Sequence, residues 1–501
     1  MNRYDLSVLH IARLVLEAKT ALSMTSGLSE GTFDTQLVRD ANGLPALPAS
    51  SVAGVLRHLW LENHDETSAD ALFGYQKGKE GQASRLTLSW GALLDSQGRP
   101  AQGLLMDEQR QRLEDPLYQA VLAQADVPIT RDRVRITHRG AASHRGKFDR
   151  AVLPAGHRFA LEVRLWSQDK TDATWEELLR LFSHPLFRLG GATRAGLGAM
   201  RLIACHANSF DLKDPDQIEA FQKLTPDLTD YNGLDDLTDK LRVDHASDRF
   251  IQGTLHLEAD GFWRIGEGEE PLLDKDDNNN PLKAADLLPK TEEIVTWHPT
   301  AGAERQLRLC LLPASSLKGA LAHRMAFHYR CLTGQWADDL EGEPDDSRPI
   351  ALDALFGAVK SSESQNEESG QVGALIIDDL GVKNGTHQVA RLMHNAIDRF
   401  TGGVRDRVLF EEESLYGGSL KATIILDTQR LHKNLDLLNL EKEKEEATLR
   451  QALQLALDDL CQKRLALGSR TTSGNGFFSG ELKGPLREWL EQEQASQQAA
   501  A

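Results

Sequence analysis

The sequence predicts an α+β protein in which one domain is written twice. The first observation is a repeated segment: LPASSVAGVLRH at residues 47–58 returns as LPASSLKGALAH at residues 312–323. The second is that similar elements follow both copies in the same order, as a tandem duplication requires. The third is the length, since 501 residues accommodate two domains of about 200 to 250 residues each.

Each repeated segment is predicted to start a helix. The residue before its proline is driven to extended geometry, and the paired serines can accept hydrogen bonds from the first free N–H groups of the helix. A helix N-terminus beside a cation also attracts phosphate, although a capped core helix without a ligand is the simpler alternative. The residues predicted to bind RNA phosphates here are Ser50, Ser51 and Arg57 in the first copy and Ser315, Ser316, Lys318 and Arg324 in the second.

Basic segments follow the first strands of each half. Residues 131–150 carry seven Lys and Arg against two Asp, on a chain whose net charge is -18. A basic stripe on an acidic body suits a protein that holds RNA along one face. The predicted RNA contacts are Arg131, Arg133, Arg135 and Arg139 in the first half and Arg405 and Arg407 in the second.

Each half ends with an amphipathic helix and a glycine-rich loop, at residues 190–198 and 468–476. Neither loop has the Lys-Ser/Thr ending of a P-loop or the pattern G-x-G-x-x-G, which argues against nucleotide binding. Bare backbone N–H groups can still approach a phosphate closely. The residues predicted to do so are Gly190, Gly191, Arg194 and Gly196 in the first loop and Gly468, Arg470 and Gly474 in the second.

Composition indicates the cellular compartment and the boundaries of the domains. The four cysteines form no C-x-x-C pair, no apolar run is long enough for a membrane span, and the N-terminus lacks a signal peptide, so we expect a cytoplasmic protein. We predict a first module at residues 1–205, an acidic linker at 206–248, a second module at 249–485 and a flexible tail at 486–501.

The segment FDTQLVRDANGLPALPASSVAGVLR from residue 33 and the closing LGGATRAGLG together resemble the RAMP superfamily of CRISPR-associated proteins. Within it they are most similar to the backbone subunits of type III effector complexes, the seventh Cas family. The fused pair resembles the double form of type III-D-like systems. The resemblance implies two ferredoxin-like, RRM-type modules with antiparallel sheets, protruding hairpins called thumbs, and glycine-rich loops that support a guide RNA.

The same resemblance places an RNA-cleaving carboxylate at Asp34 and implies a metal-dependent endoribonuclease acting on target RNA. One carboxylate cannot bind Mg²⁺ or Mn²⁺ tightly, so the ion is expected to be weak and substrate-dependent. In the second half, equating IVTW with LVRD puts Thr291 at the position of Asp34. We therefore expect the second module to be inactive, with Asp286 as the alternative carboxylate.

The implied partners are a CRISPR guide RNA, complementary target RNA, further backbone subunits and a large polymerase-like subunit in a ribonucleoprotein for antiviral defence, without a membrane. Two other functions stay open. One is a purely structural RNA-binding scaffold, and the other is a guide-processing endoribonuclease, which would use a histidine and would survive EDTA.

Overall fold

The computed structural model describes residues 6–25, 35–137, 142–242, 249–266, 268–275, 279–336, 348–358, 370–406 and 408–500, with backbone alone at 144, 145 and 493–500. Two antiparallel sheets dominate it, one in each half of the chain. This confirms the predicted α+β architecture of two tandem ferredoxin-like modules.

The first half is built on a sheet whose strands lie in the order β10-β9-β1-β8-β4, with β5 also paired to β8. The strands of the first half, including those of the separate β2–β3 and β6–β7 hairpins, are β1 Val8–Ala18, β2 Tyr75–Lys77, β3 Glu80–Gln82, β4 Leu86–Leu88, β5 Ala92–Leu93, β6 Arg133–Ile136, β7 Ala142–Phe148, β8 Arg158–Ser167, β9 Met200–Asp211 and β10 Asp235–Asp236. Its helices are α1 Ala49–Trp60, α2 Glu66–Phe73, α3 Pro116–Ala123, α4 Ala173–Arg180, α5 Pro215–Gln222 and α6 Thr238–Leu241.

The second half repeats this arrangement in the order β15-β19-β11-β20, which matches β4-β8-β1-β9 strand for strand. Its strands are β11 Phe250–Asp260, β12 Phe262–Trp263, β13 Thr291–His298, β14 Gly302–Leu312, β15 Leu375–Ile377, β16 Leu380–Gly381, β17 His387–His394, β18 Phe410–Gly417, β19 Ser419–Asp427 and β20 Phe477–Lys483. Its helices are α7 Ala314–Thr333, α8 Asp353–Phe356, α9 Thr428–Leu437, α10 Lys442–Cys461 and α11 Pro485–Ala500.

The repeated segment forms α1 and α7, as predicted, but the serines do not cap them. The N-cap residues are Pro48 and Pro313, neither of which offers a side-chain hydrogen bond. The serines therefore lie within the first turn of each helix. In α1 the apolar residues Val52, Leu56 and Leu59 recur at helical spacing and are buried, which fixes the helix against the sheet.

The described part of the segment predicted as an acidic linker, residues 206–242, packs on the first module instead. Its first residues complete β9, and β10 then pairs with β9 at the edge of the sheet. Thr238 and Leu241 of α6 are buried, and Leu241 belongs to the first hydrophobic core. Because the segment is mostly polar, its sequence gave no signal of these few buried contacts.

The predicted flexible tail begins as a packed helix. Leu486, Trp489 and Leu490 of α11 are buried in the second hydrophobic core, at spacings of three and four residues. The Arg450 guanidinium lies 4.2 Å from the centre of the Trp489 ring. No helix in the described part of the chain combines the length and apolarity that crossing a membrane requires.

The β13–β14 hairpin of the second module lies on the first module. The Val295 N–H donates to the carbonyl oxygen of Ala155 at 2.9 Å, and the Trp297 indole Nε1 donates to that of Gly156 at 2.8 Å. A side chain at Gly156, where φ is +89°, would collide with the Val295 carbonyl oxygen. This close backbone approach accounts for glycine at the position.

The first hydrophobic core extends into the second module. Phe250, Ile376 and Ile425 of the second module are buried within the first core. Beside them Glu62 of the first module accepts a hydrogen bond from the Arg249 guanidinium at 2.6 Å. The two modules therefore form one packed body.

Candidate nucleic-acid interface

The first glycine-rich loop, residues 190–198, docks on the N-terminus of α7. Gly196 has a φ of +101°, and a side chain there would lie 2.5 Å from the Asp379 Oδ1 atom and 2.6 Å from the Ala314 Cβ atom. Asp379 Oδ1 in turn accepts a hydrogen bond from the Ala314 N–H at 2.8 Å, so a distant carboxylate caps this helix. The loop that was predicted to approach RNA phosphate contacts the other module. Nearby, a side chain at Gly191 would collide with the Arg150 guanidinium.

Lys318 is part of this module junction. It is buried, and its Nζ atom donates to the carbonyl oxygens of Arg194 at 2.9 Å and Leu375 at 2.8 Å. Burial, together with the neighbouring cations Arg194 and Arg348, lowers the pKa of Lys318 to about 7. The lysine therefore joins helix α7 to the first loop, and the prediction that it contacts RNA phosphate is corrected.

Arg131 is also buried in the junction. Its Nη2 atom lies 2.7 Å from Glu292 Oε2, and its Nη1 atom lies 2.8 Å from Asp379 Oδ2. Burial by itself would lower the pKa of Arg131, but the two carboxylates raise it above its ordinary value. A buried, doubly paired guanidinium is not available to RNA, which corrects a second predicted contact.

A second carboxylate beside Asp379 completes the junction. Asp378 accepts from Arg188 Nη2 at 2.6 Å and from Lys19 Nζ at 2.9 Å. Burial raises the pKa of Asp378, but the two cations outweigh this effect and hold it below the ordinary value. Sequence analysis missed this pair, although two aspartates directly after the buried strand β15 were a visible signal.

Other predicted contacts at the repeated helices also have partners within the chain. Arg57 lies in the last turn of α1 and bonds to Glu66 at 2.7 Å and Asp70 at 2.8 Å. Arg324 of α7 bonds to Asp459 of α10. Both cations are therefore remote from the helix N-termini with which the sequence had grouped them. Ser50 and Ser316 are exposed, and Ser51 and Ser315 are half-buried.

Of the predicted RNA-contacting cations that the structure describes, the exposed ones lie on two β-hairpins or on the loop that joins their strands, one hairpin in each module. The first hairpin, β6–β7, carries half-buried Arg133 and exposed Arg135 beside Val134, Ile136 and Phe148, whose exposed fractions are 44 to 46%. The second, β17–β18, leads into a loop that carries exposed Arg405 and a Phe400 that is 98% exposed. Cations alternating with apolar and aromatic side chains can bind phosphates and stack on bases. Arg139 and Arg407 lie outside the described residues.

The second glycine-rich loop is exposed where the first is docked. Gly468, Arg470 and Gly474 have φ values of +93°, +57° and +91°. A side chain at Gly474 would meet no atom within 4 Å, in contrast to Gly196. Arg470 is half-buried, and its guanidinium lies 6.0 Å from the ring of Phe410, the first residue of β18. The loop is therefore open around Gly474, whereas at Gly468 a side chain would collide with the Arg264 carbonyl oxygen.

Asp34 lies outside the described residues, but the segment after it fixes a register between the modules. The Val38 N–H donates to the Met24 carbonyl oxygen at 2.8 Å, as the Lys290 N–H donates to that of Ile265 at 2.9 Å. The N–H of Ala46, two residues before Pro48, donates back to the Val38 carbonyl oxygen.

The same bond is made in the second module by Leu311, two residues before Pro313, which donates to the carbonyl oxygen of Lys290 at 3.2 Å. Lys290 is therefore the counterpart of Val38, and four residues earlier Asp286 is the counterpart of Asp34. The predicted equivalence with Thr291 was wrong.

Asp286 is exposed, beside the end of the β17–β18 ladder from which the connecting loop leaves. Its Oδ2 atom accepts a hydrogen bond from the Glu411 N–H at 2.9 Å, and the Leu287 N–H donates to the Glu411 carbonyl oxygen at 3.1 Å. One face of the carboxylate is thus fixed by backbone while the rest faces solvent. The second module therefore retains a carboxylate at the position where the first carries Asp34.

A cavity of about 140 Å³ adjoins the segment after Asp34. Gln36, Leu37 and Arg39 line one side, and Gln124 and Ile129 line another. Arg39 donates to the carbonyl oxygens of Gly43 and Val121, so it helps to shape the wall. The predicted cleavage segment therefore borders a concave surface at the base of the first hairpin.

Comparison with protein families agrees with the two-module fold. Residues 15–201 and 297–479 match the model of the RAMP superfamily, once in each module and over more than half of the chain. The chain belongs to the RAMP superfamily. Comparison with curated protein sequences finds no match. Membership in the RAMP superfamily indicates a CRISPR-associated RNA-binding protein.

A metal site was expected for this RAMP protein at Asp34. Within the described ranges, no group of three or more His, Cys, Asp or Glu side chains is arranged to hold a metal ion. Asp286 presents a single carboxylate, which cannot bind Mg²⁺ tightly by itself. The described side chains do not fit a resident divalent ion.

Proposed function

We propose that this RAMP protein is a double backbone subunit of a type III CRISPR effector complex. It would hold guide RNA along its two hairpins and cleave complementary target RNA next to Asp34 and Asp286. The observation that carries the proposal is the hydrogen-bond register, which makes Asp286 the counterpart of Asp34 by position in the chain and places Asp286 beside the second cation-bearing hairpin. The sequence had implied one active module, and the corrected register supports a candidate site in each.

RNA contact in this proposal relies on the hairpins and the second glycine-rich loop. Arg133, Arg135 and Arg405 would neutralise phosphates, while Phe400 would stack on a base. Arg131, Lys318 and the first loop would contribute only by holding the modules in place. The net charge of -18 then discourages RNA from binding elsewhere on the surface.

The proposed reaction is attack of a target 2′-hydroxyl on the adjacent phosphate. The 2′-oxygen forms a bond to phosphorus, the bond to the 5′-oxygen breaks, and the products are a 2′,3′-cyclic phosphate and a 5′-hydroxyl. Asp34 or Asp286 would accept the proton of the 2′-hydroxyl and orient its oxygen. Position matters more than basicity here, because an exposed carboxylate is a weak base at neutral pH.

The test is cleavage of end-labelled target RNA by the guide-loaded complex, resolved on a sequencing gel. Asp34→Asn and Asp286→Asn are each expected to remove one cleavage position and to leave target binding intact. Cleavage in EDTA shows whether a divalent ion from solution takes part. An unchanged ladder with Asp34→Asn would refute cleavage at that site.

A non-cleaving scaffold is the second candidate, and one observation favours it. The described residues include no group of three or more His, Cys, Asp or Glu suited to hold a metal ion, and four of the predicted cations have partners inside the chain: Arg57, Arg131, Lys318 and Arg324. A scaffold binds target normally and leaves it intact with and without EDTA. A guide-processing enzyme would instead shorten precursor guide RNA in EDTA.

A further inference from the structure

The second hairpin carries a histidine next to a buried glutamate. His394 ends β17 and lies opposite Phe410, the first residue of β18. Its Nε2 atom lies 3.6 Å from Oε2 of Glu412, a carboxylate without solvent exposure. Ser414 Oγ donates to the other oxygen of this carboxylate at 2.7 Å, and Arg264 Nε lies 3.9 Å from Oε2. A hydroxyl and a guanidinium therefore hold the carboxylate while it faces the imidazole.

The Glu412 carboxylate determines how the imidazole of His394 can act. An ionised carboxylate only accepts hydrogen bonds, so the nitrogen that faces it, Nε2, carries a proton. Nδ1 is then the nitrogen that can exchange a proton with a ligand. The His394 side chain is 18% exposed, and its ring lies 5.1 Å from the Phe410 ring, which also has the Arg470 guanidinium 6.0 Å away. A histidine oriented by a carboxylate and placed near a cation is typical of an acid–base site.

The hydrogen-bond register shows which residues take these places in the first module. The carbonyl oxygen of Ser23 accepts from the first glycine-rich loop at 2.9 Å, as that of Arg264 accepts from the second at 2.8 Å. The residue before each of them pairs across the sheet with Leu153 in the first module and with Leu415 in the second. These two leucines are therefore equivalent.

The first module has two arginines where the second has the His–Glu pair. Three residues before the equivalent leucines lie Arg150 in the first module and Glu412 in the second. Five residues before them lies a phenylalanine in both modules, and its strand partner is Arg133 in the first and His394 in the second. Because a guanidinium does not release its proton, the first module can bind phosphate at this position but cannot donate a proton there.

Asp286 and His394 lie on opposite edges of the same strand. Leu287 pairs with Glu412 along one edge of β18, and β17 pairs along the other. The Asp286 carboxylate accepts from the N–H of Glu411, the residue next to the one opposite His394. Neighbouring strands are about 4.8 Å apart, so about 10 Å separates the two flanking backbones. Such a span accommodates one phosphodiester with a side chain on each side.

The proposed cleavage reaction still needs a proton for its leaving group. In an in-line displacement the 5′-oxygen leaves from the side of phosphorus opposite the attacking 2′-oxygen, so the group that takes the first proton does not supply the second. Asp286 is assigned the first proton. His394, across the strand, is the described side chain whose chemistry suits the second.

We propose that His394 is the general acid of the second candidate site and that Glu412 is its positioning residue. The 2′-oxygen bonds to phosphorus and its proton passes to Asp286. The bond from phosphorus to the 5′-oxygen breaks, and this oxygen takes the proton from Nδ1 of His394. Proton exchange with water then restores both side chains. The inference rests on the proposed cleavage at Asp286 and makes the two modules chemically different.

Target RNA with sulfur in place of the 5′-oxygen at the scissile bond tests for a general acid. A thiolate leaves without a proton, because a thiol is a much stronger acid than an alcohol. The position examined is the one that Asp286→Asn removes. In the guide-loaded complex, His394→Gln is expected to slow cleavage of ordinary target there by about a hundredfold or more. The same variant is expected to cleave the sulfur target nearly as fast as wild type.

The outcomes separate this inference from the proposed function. If His394→Gln slows cleavage of both targets equally, the histidine supports the hairpin and is not an acid. If Asp286→Asn removes the band and His394→Gln leaves it, the proposed function stands and the inference fails. If neither variant changes the ladder, cleavage at the second site is itself refuted. Target binding and the band that depends on Asp34 serve as controls in each lane.

Glu412→Gln gives an independent test through the pH profile. The charged groups around the imidazole are Glu412, Arg264 and Arg470. A general acid acts only when protonated, so cleavage at the second position should fall as the pH rises. Removing the carboxylate should move this fall to lower pH and leave the profile of the first position unchanged, since Arg133 stands there. Identical profiles for wild type and Glu412→Gln at the second position would contradict the proposal.

Discussion

Lys318 of the second module donates a hydrogen bond to the backbone carbonyl oxygen of Arg194 in the first, at 2.9 Å. Among the residues that the structure describes, no carboxylate pairs with this ammonium, and its second partner is also a carbonyl oxygen, that of Leu375. The contact between the modules therefore depends on an amine whose charge is not balanced locally.

The first prediction concerns pH. The pKa of Lys318 is lowered to about 7 in the folded chain, below the ordinary value of 10.5, so the unfolded chain binds the proton more tightly between these two values. Stability should therefore rise with pH in this window, by up to about 1.4 kcal/mol per unit. We expect the free energy of unfolding of wild type, measured relative to that of Lys318→Met by denaturant titration, to increase between pH 7 and 9. Parallel curves would contradict the burial of the amine.

The second prediction separates a junction arginine from a surface arginine. Arg131→Met leaves Glu292 and Asp379 buried without their cation, so we expect a loss of about 3 to 5 kcal/mol in the free energy of unfolding. Arg135→Met, two strand positions beyond Arg133 on the exposed hairpin, should cost less than about 0.5 kcal/mol. In the loaded complex Arg135→Met should instead lower RNA affinity and the salt slope of binding. Equal losses of stability would show that Arg131 is not a junction residue.

The third prediction uses two glycines with the same backbone conformation. Gly196 and Gly474 have φ values of +101° and +91°, so an alanine strains both by about 1 to 2 kcal/mol. Gly196→Ala must additionally displace Asp379 or Ala314, whereas Gly474→Ala meets open space. We expect Gly196→Ala to unfold at a markedly lower temperature than Gly474→Ala and to be cleaved faster between the modules by protease. Identical melting temperatures would argue against docking of the first loop.

The fourth prediction concerns the exposed aromatic residue of the second hairpin. Phe400 is 98% exposed, so Phe400→Ala should leave stability unchanged. If its ring stacks on a base, RNA binding by the loaded complex should weaken by about 1 to 3 kcal/mol at every salt concentration, since stacking is not screened. Leu437→Ala, an exposed residue of α9 outside the hairpin, is the matched control. If filter binding gives the same RNA affinity for Phe400→Ala and Leu437→Ala, Phe400 is not part of the RNA-binding surface.

The sequence predicted the repeated fold well because local signals carry it. Pro48 and Pro313 stop the preceding extended segments and start equivalent helices, and the glycine positions of the two closing loops adopt matching left-handed conformations. These features depend on a few neighbouring residues, so they can be read without knowing what packs against them.

The candidate site was harder to predict because it depends on distant contacts. The cap of α7 is Asp379, which lies 65 residues away from Ala314 in the chain. Arg131 belongs to a basic run that looks like a solvated stripe until Glu292 and Asp379 bury it. The choice of Thr291 was wrong because the count ran backwards from the repeated segment through the β13–β14 hairpin. That hairpin is much longer than its counterpart in the first module, so the count stopped at the wrong residue.

The contribution of the second module to the first core has a consequence for synthesis on the ribosome. Phe250, Ile376 and Ile425 complete a core that begins with β1, and the β13–β14 hairpin covers a surface around Gly156. The first half of a nascent chain therefore emerges with part of its hydrophobic core exposed. That core is completed only after more than a hundred further residues have been synthesised. Fragments that stop between the halves should consequently require chaperones or aggregate, and only the complete chain can bury that surface.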